Sequence, residues 1–331
     1  VLSSNDGCIV ALTPEAKACG LHRGDPIFKV QHIVRCYNVQ LFSTNMQLYA
    51  AMSKRVISLL RKSVQHVENY SIDESFLDLS GYERHHDLVA FMRGVRDRIK
   101  LCTDIPVSVG IAPSKTLAKM GSKFAKQYKG YNGVCMIDTD AKRRKALELF
   151  DLADVWGIGR RTLEKLQCLG ICTPLQFADK SEAWVKARFH KPGHQTWLEL
   201  NGVPCIDTSE VLRRQTICTS RSFGNMISEM ADLKSSVASF AASCANKLRA
   251  QSCVCKTITV FVSSNRFRED LQQYGNAATS TLLTASSDTQ TITSAALRCL
   301  EQIYVPGIMY KKSGVVLSDI SQDSPLQLDL F

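Results

Sequence analysis

Hydrophobic and polar positions change period several times along the chain, and the changes mark out its elements. Between 46 and 138 apolar residues recur at helical spacing over 47–61, then in two short alternating runs over 64–70 and 74–79. A helical stretch over 87–100, a strand-like run over 107–111, a helix over 114–126 and a last strand-like run over 133–137 follow. One hairpin within a mixed order of helices and strands predicts an α+β layer rather than a uniformly doubly wound sheet. The first 45 residues are turn-rich, with "NDG" and "RGDP" as breakers and one predicted helix over 14–19, and read as a small lobe. From 140 to about 202 the pattern is mainly helical and basic, and a polar connector ending in "RRQ" lies over 206–215. Beyond it, strand-like "KTITVFVSS" and "SGVVLSD" alternate with predicted helices over 230–251 and 289–303, which gives a second, smaller α/β domain. The final "SQDSPLQLDLF" is polar and then abruptly apolar, and reads as a tail.

Composition adds bounds to this outline. A chain of 331 residues with 45% hydrophobic content can bury a sizeable core in two or more domains. Its 41 Lys and Arg against 31 Asp and Glu, a formal charge of +10, favour a polyanionic partner such as nucleic acid. The second domain is basic in its own right, with 12 Lys and Arg against 7 Asp and Glu over 211–320. Thirteen cysteines without a CxxC pair read as reduced thiols of a cytosolic protein. His190 and His194 have i,i+4 spacing, but Pro192 and Gly193 between them predict a surface turn, so no zinc site is expected there. No apolar run approaches the ~20 residues of a membrane span, and no signal peptide is evident, so a cytoplasmic protein is expected. The chain opens at Val1 as if already inside a strand and turn, which reads as a missing beginning.

Three stretches carry candidate chemistry. In "YSIDESFLDL", Asp73 and Glu74 stand side by side in a strand-like run. Neighbouring strand side chains point to opposite faces, so the two acids can share a task only at a turn, a bulge or a strand entrance, and a hairpin is expected here. Carboxylates brought together repel unless a cation neutralises them, and Mg²⁺ is the usual one where phosphate is the substrate. A solvated turn is the plain alternative. Lys115, Lys119, Lys123 and Lys126 follow "VSVGIAPS" at spacings of 4, 4 and 3, on one stripe of a helix that can face the same phosphate-bearing ligand or merely water. In "VWGIGRRTLEKLQCLGI", Gly157 and Gly159 between helical segments fit a helix-hairpin-helix. Its loop would bring backbone N–H groups to a DNA phosphate while Arg160, Arg161 and Lys165 add charge; an ordinary helical corner is the other reading.

Taken together, "YSIDESFLDL", "VSVGIAPSKTLAK", "DVWGIGRRTLEKLQCLGI" and "SRSFG" resemble the Y-family translesion DNA polymerases, specifically the UmuC type that forms the catalytic subunit of bacterial DNA polymerase V. The likeness runs over essentially the whole chain with its motifs in order. It implies a multidomain α+β polymerase: fingers over 1–45, palm over 46–139, helical thumb over 140–205, linker over 206–214, α/β little finger over 215–320 and a clamp-binding tail over 321–331. It makes Asp73 and Glu74 the metal-binding catalytic carboxylates and Lys126 a contact of the incoming triphosphate. "PEAKACG" is similar to the fingers segment that also reaches the triphosphate, which makes Lys17 the candidate, with Pro14 where relatives carry tyrosine. "QLDLF" is similar to the bacterial sliding-clamp peptide, with Gln327, Leu328, Leu330 and Phe331 at its key positions.

The same resemblance implies error-prone synthesis opposite damaged bases in the SOS response, two Mg²⁺ ions, primer-template DNA and dNTP as substrates, and UmuD-type subunits and RecA as partners. The family opens with a strand reading D-x-N-x-F-Y-x-S-x-E that supplies a third metal ligand, and nothing of the kind precedes Val1. The palm's first strand is therefore expected to be missing, Phe331 to be a second truncation, and the chain by itself to be inactive. Two other classes stay open: a catalytically dead DNA- and clamp-binding remnant, and an unrelated repair nuclease. The nuclease needs a further acid cluster near Asp73, for which the sequence offers only Asp78.

Overall fold

The computed structural model describes residues 1–3, 7–208 and 215–323. They form two compact units, one over 45–211 and one made of the described parts of 1–44 and 212–331. The first 44 residues contribute strands β1 (Leu2–Ser3) and β2 (Ile9–Ala11), helices α1 (Pro14–Ala18) and α2 (Ile27–Cys36), and strand β3 (Phe42–Ser43). Strand β1 pairs antiparallel with β2 and parallel with β3, and Ile9, Ala16 and Leu21 are buried beneath them. Thr13 caps α1, whose first residue is Pro14, where a missing N–H costs nothing. Helix α2 was not expected: "RGDP" reads as a breaker, yet Pro26 is also the residue from which a helix starts.

Residues 45–211 open with α3 (Met46–Ser63), capped by the Asn45 side chain on the Leu48 N–H. Strands β4 (His66–Asn69) and β5 (Ser75–Asp78) form the expected antiparallel hairpin. Next come α4 (Leu88–Thr103), β6 (Val109–Ile111), α5 (Lys115–Gln127) and β7 (Val134–Met136), with β6 and β7 parallel. Met92, Val95 and Ile99 of α4 are buried with Ile111 and Val134 and with Leu77 of β5 packed beside them, so the two small sheets share a core although no hydrogen bond joins them. Helix α5 lies directly on β6, because a Cβ on Gly110 would come 1.9 Å from the Ala118 carbonyl oxygen.

The remainder of this unit is helical, as expected: α6 (Asp140–Leu149), a 3-10 turn at Leu152–Asp154, α7 (Arg160–Cys168), α8 (Pro174–Ala178), α9 (Glu182–Arg188) and α10 (Lys191–Leu200). Leu117 and Phe124 of α5 share one core with Leu147, Leu166, Phe177 and Leu200. The surface turn expected around His190 and His194 is instead the start of α10. His190 is its N-cap, and Pro192 falls in the first turn, where proline is tolerated. Gly193 lets the helix approach Phe189, whose Cβ would meet an added Cβ at 2.8 Å. The His194 ring stacks on Trp197 and its Nε2 lies 3.0 Å from Glu182.

The described part of 212–331 contains β8 (Ile217–Ile227), α11 (Met230–Arg249), β9 (Cys253–Ser264), β10 (Gly275–Ser286), α12 (Thr289–Ile303) and β11 (Tyr310–Gln322). The sheet is antiparallel in the order β10-β9-β11-β8. Alternate residues such as Ile258, Val260 and Val262 of β9 and Val315 and Leu317 of β11 are buried with the apolar residues of α11 and α12. Strand β11 runs two residues into the stretch read as a tail, pairing Ser321 with Val254 and Gln322 with Cys253. All thirteen cysteines are free thiols. Burial pushes the Cys255 thiol up to about 11, with nearby Cys244 adding to it, so these core thiols act as small apolar residues. No helix among the described residues is long and apolar enough to cross a membrane.

Candidate active site and nucleic-acid interface

The two acids of "YSIDESFLDL" lie in the turn and not in the strand, and their side chains take different directions. The ladder pairs Asn69 with Ser75 and Glu68 with Phe76, leaving residues 70–74 to close the hairpin. The backbone N–H groups of Tyr70 and Ser71 both donate to the Glu74 carbonyl, at 3.1 and 3.0 Å. Asp73 is turned back onto its own loop, its Oδ1 accepting the Ser71 hydroxyl at 2.6 Å. Glu74 points to α5, where Nζ of Lys119 lies 2.8 Å from each of its carboxylate oxygens.

The lysine stripe of α5 is real, but it does not stand as an open row of cations. Lys115 pairs with Glu68 of β4 at 2.5 Å, Lys119 with Glu74 and Lys123 with Asp154 of the 3-10 turn. Each of the three sits one helical turn after the last, so the stripe fastens hairpin and 3-10 turn to the same helix face. Lys126, in the last turn, is exposed and pairs with no carboxylate among the described residues. Lys17 is exposed on α1, in the other unit. Ser114 caps α5 through the Leu117 N–H and donates its hydroxyl to the Glu199 carbonyl at 2.6 Å.

Sequence reasoning missed the aromatic residues around Lys119. Its ammonium lies 4.9 Å from the centroid of Tyr70 and 5.2 Å from that of Trp156. The Trp156 indole N–H donates to the Tyr70 hydroxyl at 3.1 Å, and Phe76 packs against both rings. The signal was present as the tyrosine opening one motif and the tryptophan preceding Gly-Ile-Gly in another. A single sequence does not show that such distant motifs meet. Glu68 was missed as well: besides Lys115 it accepts the Thr208 hydroxyl, which ties the start of the connector to β4. Burial pushes the Glu68 carboxyl up, but the hydrogen bonds from Lys115 and Thr208 and the Lys115 charge outweigh it and hold the group below its ordinary value.

The hairpin read as helix-hairpin-helix has a leading element of only one 3-10 turn, Leu152–Asp154, before Gly157, Gly159 and α7. Gly157 has φ +96°, and a Cβ there would lie 2.2 Å from the Thr196 hydroxyl, so it serves the packing of this loop on α10. Gly159 is the N-cap of α7 and faces open space, with no side chain capping the helix. Arg160 is 88% exposed and only loosely paired with Glu164 at 3.3 Å, and Arg161 is exposed beside it. Lys165 is turned the other way, donating to the Arg188 carbonyl and lying 4.9 Å from the Phe189 ring. An uncapped helix start with two exposed guanidinium groups suits a phosphate. Gln327, Leu328, Leu330 and Phe331 lie outside the described residues.

The family model described as the impB/mucB/samB family matches residues 1–123, and its C-terminal domain matches residues 214–330. The chain is 40% identical to protein UmuC of Salmonella typhimurium strain LT2, over all of this chain and 79% of that protein. It is 26% identical to DNA polymerase IV of Clostridium acetobutylicum, over 99% of this chain and 80% of that one. Among solved structures it resembles a Y-family polymerase chimera of Dbh and Dpo4, with a TM-score of 0.76 at 21% identity over 97% of this chain and 92% of that chain.

Proposed function

The chain belongs to the impB/mucB/samB family and has the fold of a Y-family polymerase of UmuC type, and from that premise we propose that it is a template-directed translesion DNA polymerase, extending primers opposite damaged bases in the SOS response. The observation that carries this reading is the hairpin turn: two adjacent carboxylates, Asp73 and Glu74, presented at one end of a short hairpin whose flank is seated on the lysine-bearing face of α5.

An all-oxygen donor pair suits a hard divalent cation, and Glu74 already directs both oxygens at one cationic centre, the Lys119 ammonium. Asp73 and Glu74 would hold Mg²⁺, with two ions in the complete reaction. Bound there, Mg²⁺ supplies activation of the primer 3′-hydroxyl and neutralisation of the leaving pyrophosphate. Lys126, free of any carboxylate among the described residues, and Lys17 serve as cations for the incoming triphosphate. The Gly157–Gly159 loop and Arg160, Arg161 and Lys165 hold the DNA backbone.

In this reading the fingers span 1–45, the palm 46–139, the thumb 140–205 and the little finger 215–320, joined by the linker 206–214 and followed by the tail. Gln327, Leu328, Leu330 and Phe331 dock on the sliding clamp, and the protein works in the cytoplasm with UmuD-type subunits and RecA. Primer extension by the protein carrying this sequence tests the core of the proposal. Asp73→Asn and Glu74→Gln should each lower extension by at least ~100-fold in Mg²⁺ while thermal melting moves little, since both acids are on an exposed turn. Extension within a few-fold of the parent rejects the assignment. For the tail, calorimetric titration of a 321–331 peptide with a bacterial clamp should give binding in the micromolar to millimolar range.

A further inference from the structure

Lys119 occupies the position a metal ion would contest, since both oxygens of Glu74 are 2.8 Å from its Nζ. The pair is half open to water, with Glu74 46% and Lys119 23% exposed, and pairs of that exposure are held weakly. The ammonium also has a second host. Tyr70 and Trp156 present their rings within 4.9 and 5.2 Å of it, and among the described residues no other lysine has two rings over it. Those rings are held independently of Lys119, by the 3.1 Å hydrogen bond between the Trp156 indole and the Tyr70 hydroxyl and by an edge-to-face contact with centroids 5.3 Å apart. Lys115, by contrast, is fixed between Glu68 and Thr208, and neither partner belongs to the turn.

We propose, resting on the reading of Glu74 as a metal-binding carboxylate, that Lys119 is a displaceable counter-ion of Glu74: it holds the carboxylate oriented and neutralised when no divalent cation is bound, and keeps only the Tyr70 and Trp156 rings, which it already faces, when the cation takes Glu74. A cation lost from a carboxylate normally needs water to solvate it. Here the electron-rich ring faces are already in place, which lowers the cost of the exchange. Lys119 is therefore a positioning residue whose charge raises the metal concentration needed to fill the turn.

The test is Mn²⁺ binding to the whole chain, read from the spectrum of the free ion by electron paramagnetic resonance, without DNA or nucleotide. Lys119→Met keeps the length of the side chain and removes the competing charge, so it should bind Mn²⁺ about fivefold more tightly or better. A strut needed only for folding would give the opposite sign. Affinity equal to the parent's, including none detectable in either, or weaker than the parent's, overturns the proposal. Glu74→Gln separates this inference from its premise: if Mn²⁺ binding survives that change, Glu74 is not a ligand and both fall. A second measurement needs no variant. In the parent, Mg²⁺ should change the acylation rate of Lys119 several-fold, by mass spectrometry, while leaving Lys115 and Lys123 as internal standards. An unchanged Lys119 rate overturns the exchange.

Discussion

A Cβ on Gly121 would lie 3.1 Å from the Cα of Gly110, so helix α5 and strand β6 touch backbone to backbone. The helix carrying Lys115, Lys119 and Lys123 is placed by this seam, and the two glycines are not equally replaceable. At Gly110 an added methyl would meet the Ala118 carbonyl oxygen at 1.9 Å and the Ser122 nitrogen at 2.3 Å, and backbone atoms of a helix cannot step aside alone. Gly110→Ala should cost more than ~3 kcal/mol by urea unfolding. At Gly121 the contacts are 3.1 and 3.3 Å, and alanine regains about 1 kcal/mol of helix propensity. Gly121→Ala should stay within about 1.5 kcal/mol of the parent.

The same contrast separates structure from DNA contact in the Gly157–Gly159 loop. Gly157→Ala forces an L-residue to φ +96° and drives its methyl into Thr196, so it should destabilise by roughly 2–4 kcal/mol. Gly159 has φ −85° and open space around it, so Gly159→Ala should leave the melting temperature nearly unchanged. If the loop meets a phosphate, that methyl stands in the way, and primer-template affinity by fluorescence anisotropy should fall at least ~3-fold. Arg160→Ala and Arg161→Ala should each lower the slope of log affinity against log salt by about 1. An unaltered slope in both means that the uncapped start of α7 does not face DNA.

The elements that sequence patterning found are those whose burial is one-sided and periodic. Helix α5 shows it plainly: Leu117, Met120 and Phe124 are buried and the lysines lie on the other side. The hairpin turn was legible because two adjacent acids fit no half-buried strand. Strands β8 and β10 escaped, because "ICTSRSFGNMI" and "GNAATSTLLTAS" are interrupted by Ser, Thr and small residues, and along β10 only Leu282 is buried while Leu283 is fully exposed. Pairing with β9 and β11, not hydrophobic alternation, makes them strands. In the candidate site, the charges were legible and their partners were not. Nothing local says that Glu68, Glu74 and Asp154, spread over three elements, each take a lysine from one helix.

Glu199 organises the other end of α5. It is fully buried, its Oε2 accepting the Thr116 N–H at 2.9 Å and its Oε1 those of Cys205 and Ile206 at 2.8 and 3.2 Å. Three backbone donors, one of them in the first turn of a helix, satisfy this buried side chain. Glu199→Ala strands all three and should cost about 3 kcal/mol or more by denaturant unfolding. Glu199→Gln keeps one acceptor but turns an NH₂ group on a backbone donor, and should cost about 1–3 kcal/mol. A change below ~0.5 kcal/mol for the alanine variant would show that the Cys205–Ile206 segment is not held by this side chain.

Acid should loosen the connector through Glu68. Its carboxyl is pushed up by burial, and more strongly held down by the hydrogen bonds from Lys115 and Thr208 and by the Lys115 charge, for a net value below the ordinary 4.5. A group depressed in the folded state contributes stability that is fully present above its unfolded value and lost as pH falls through its folded value. The contribution should therefore be intact at pH 7 and disappear below about pH 4.5. Glu68→Gln cannot take part in that titration. At pH 7 it should melt lower than the parent, by an amount equivalent to about 1 kcal/mol for a partly exposed pair, and the gap should close as the pH is taken down to ~3. Asp138 and Asp179, held low by Lys142 and Arg144, also weaken the fold in acid, so the parent alone cannot isolate the effect. The parent-to-variant gap can, because those pairs are common to both proteins. A gap in melting temperature that stays constant from pH 7 to 3 would show that the Glu68–Lys115–Thr208 contact carries no folding energy.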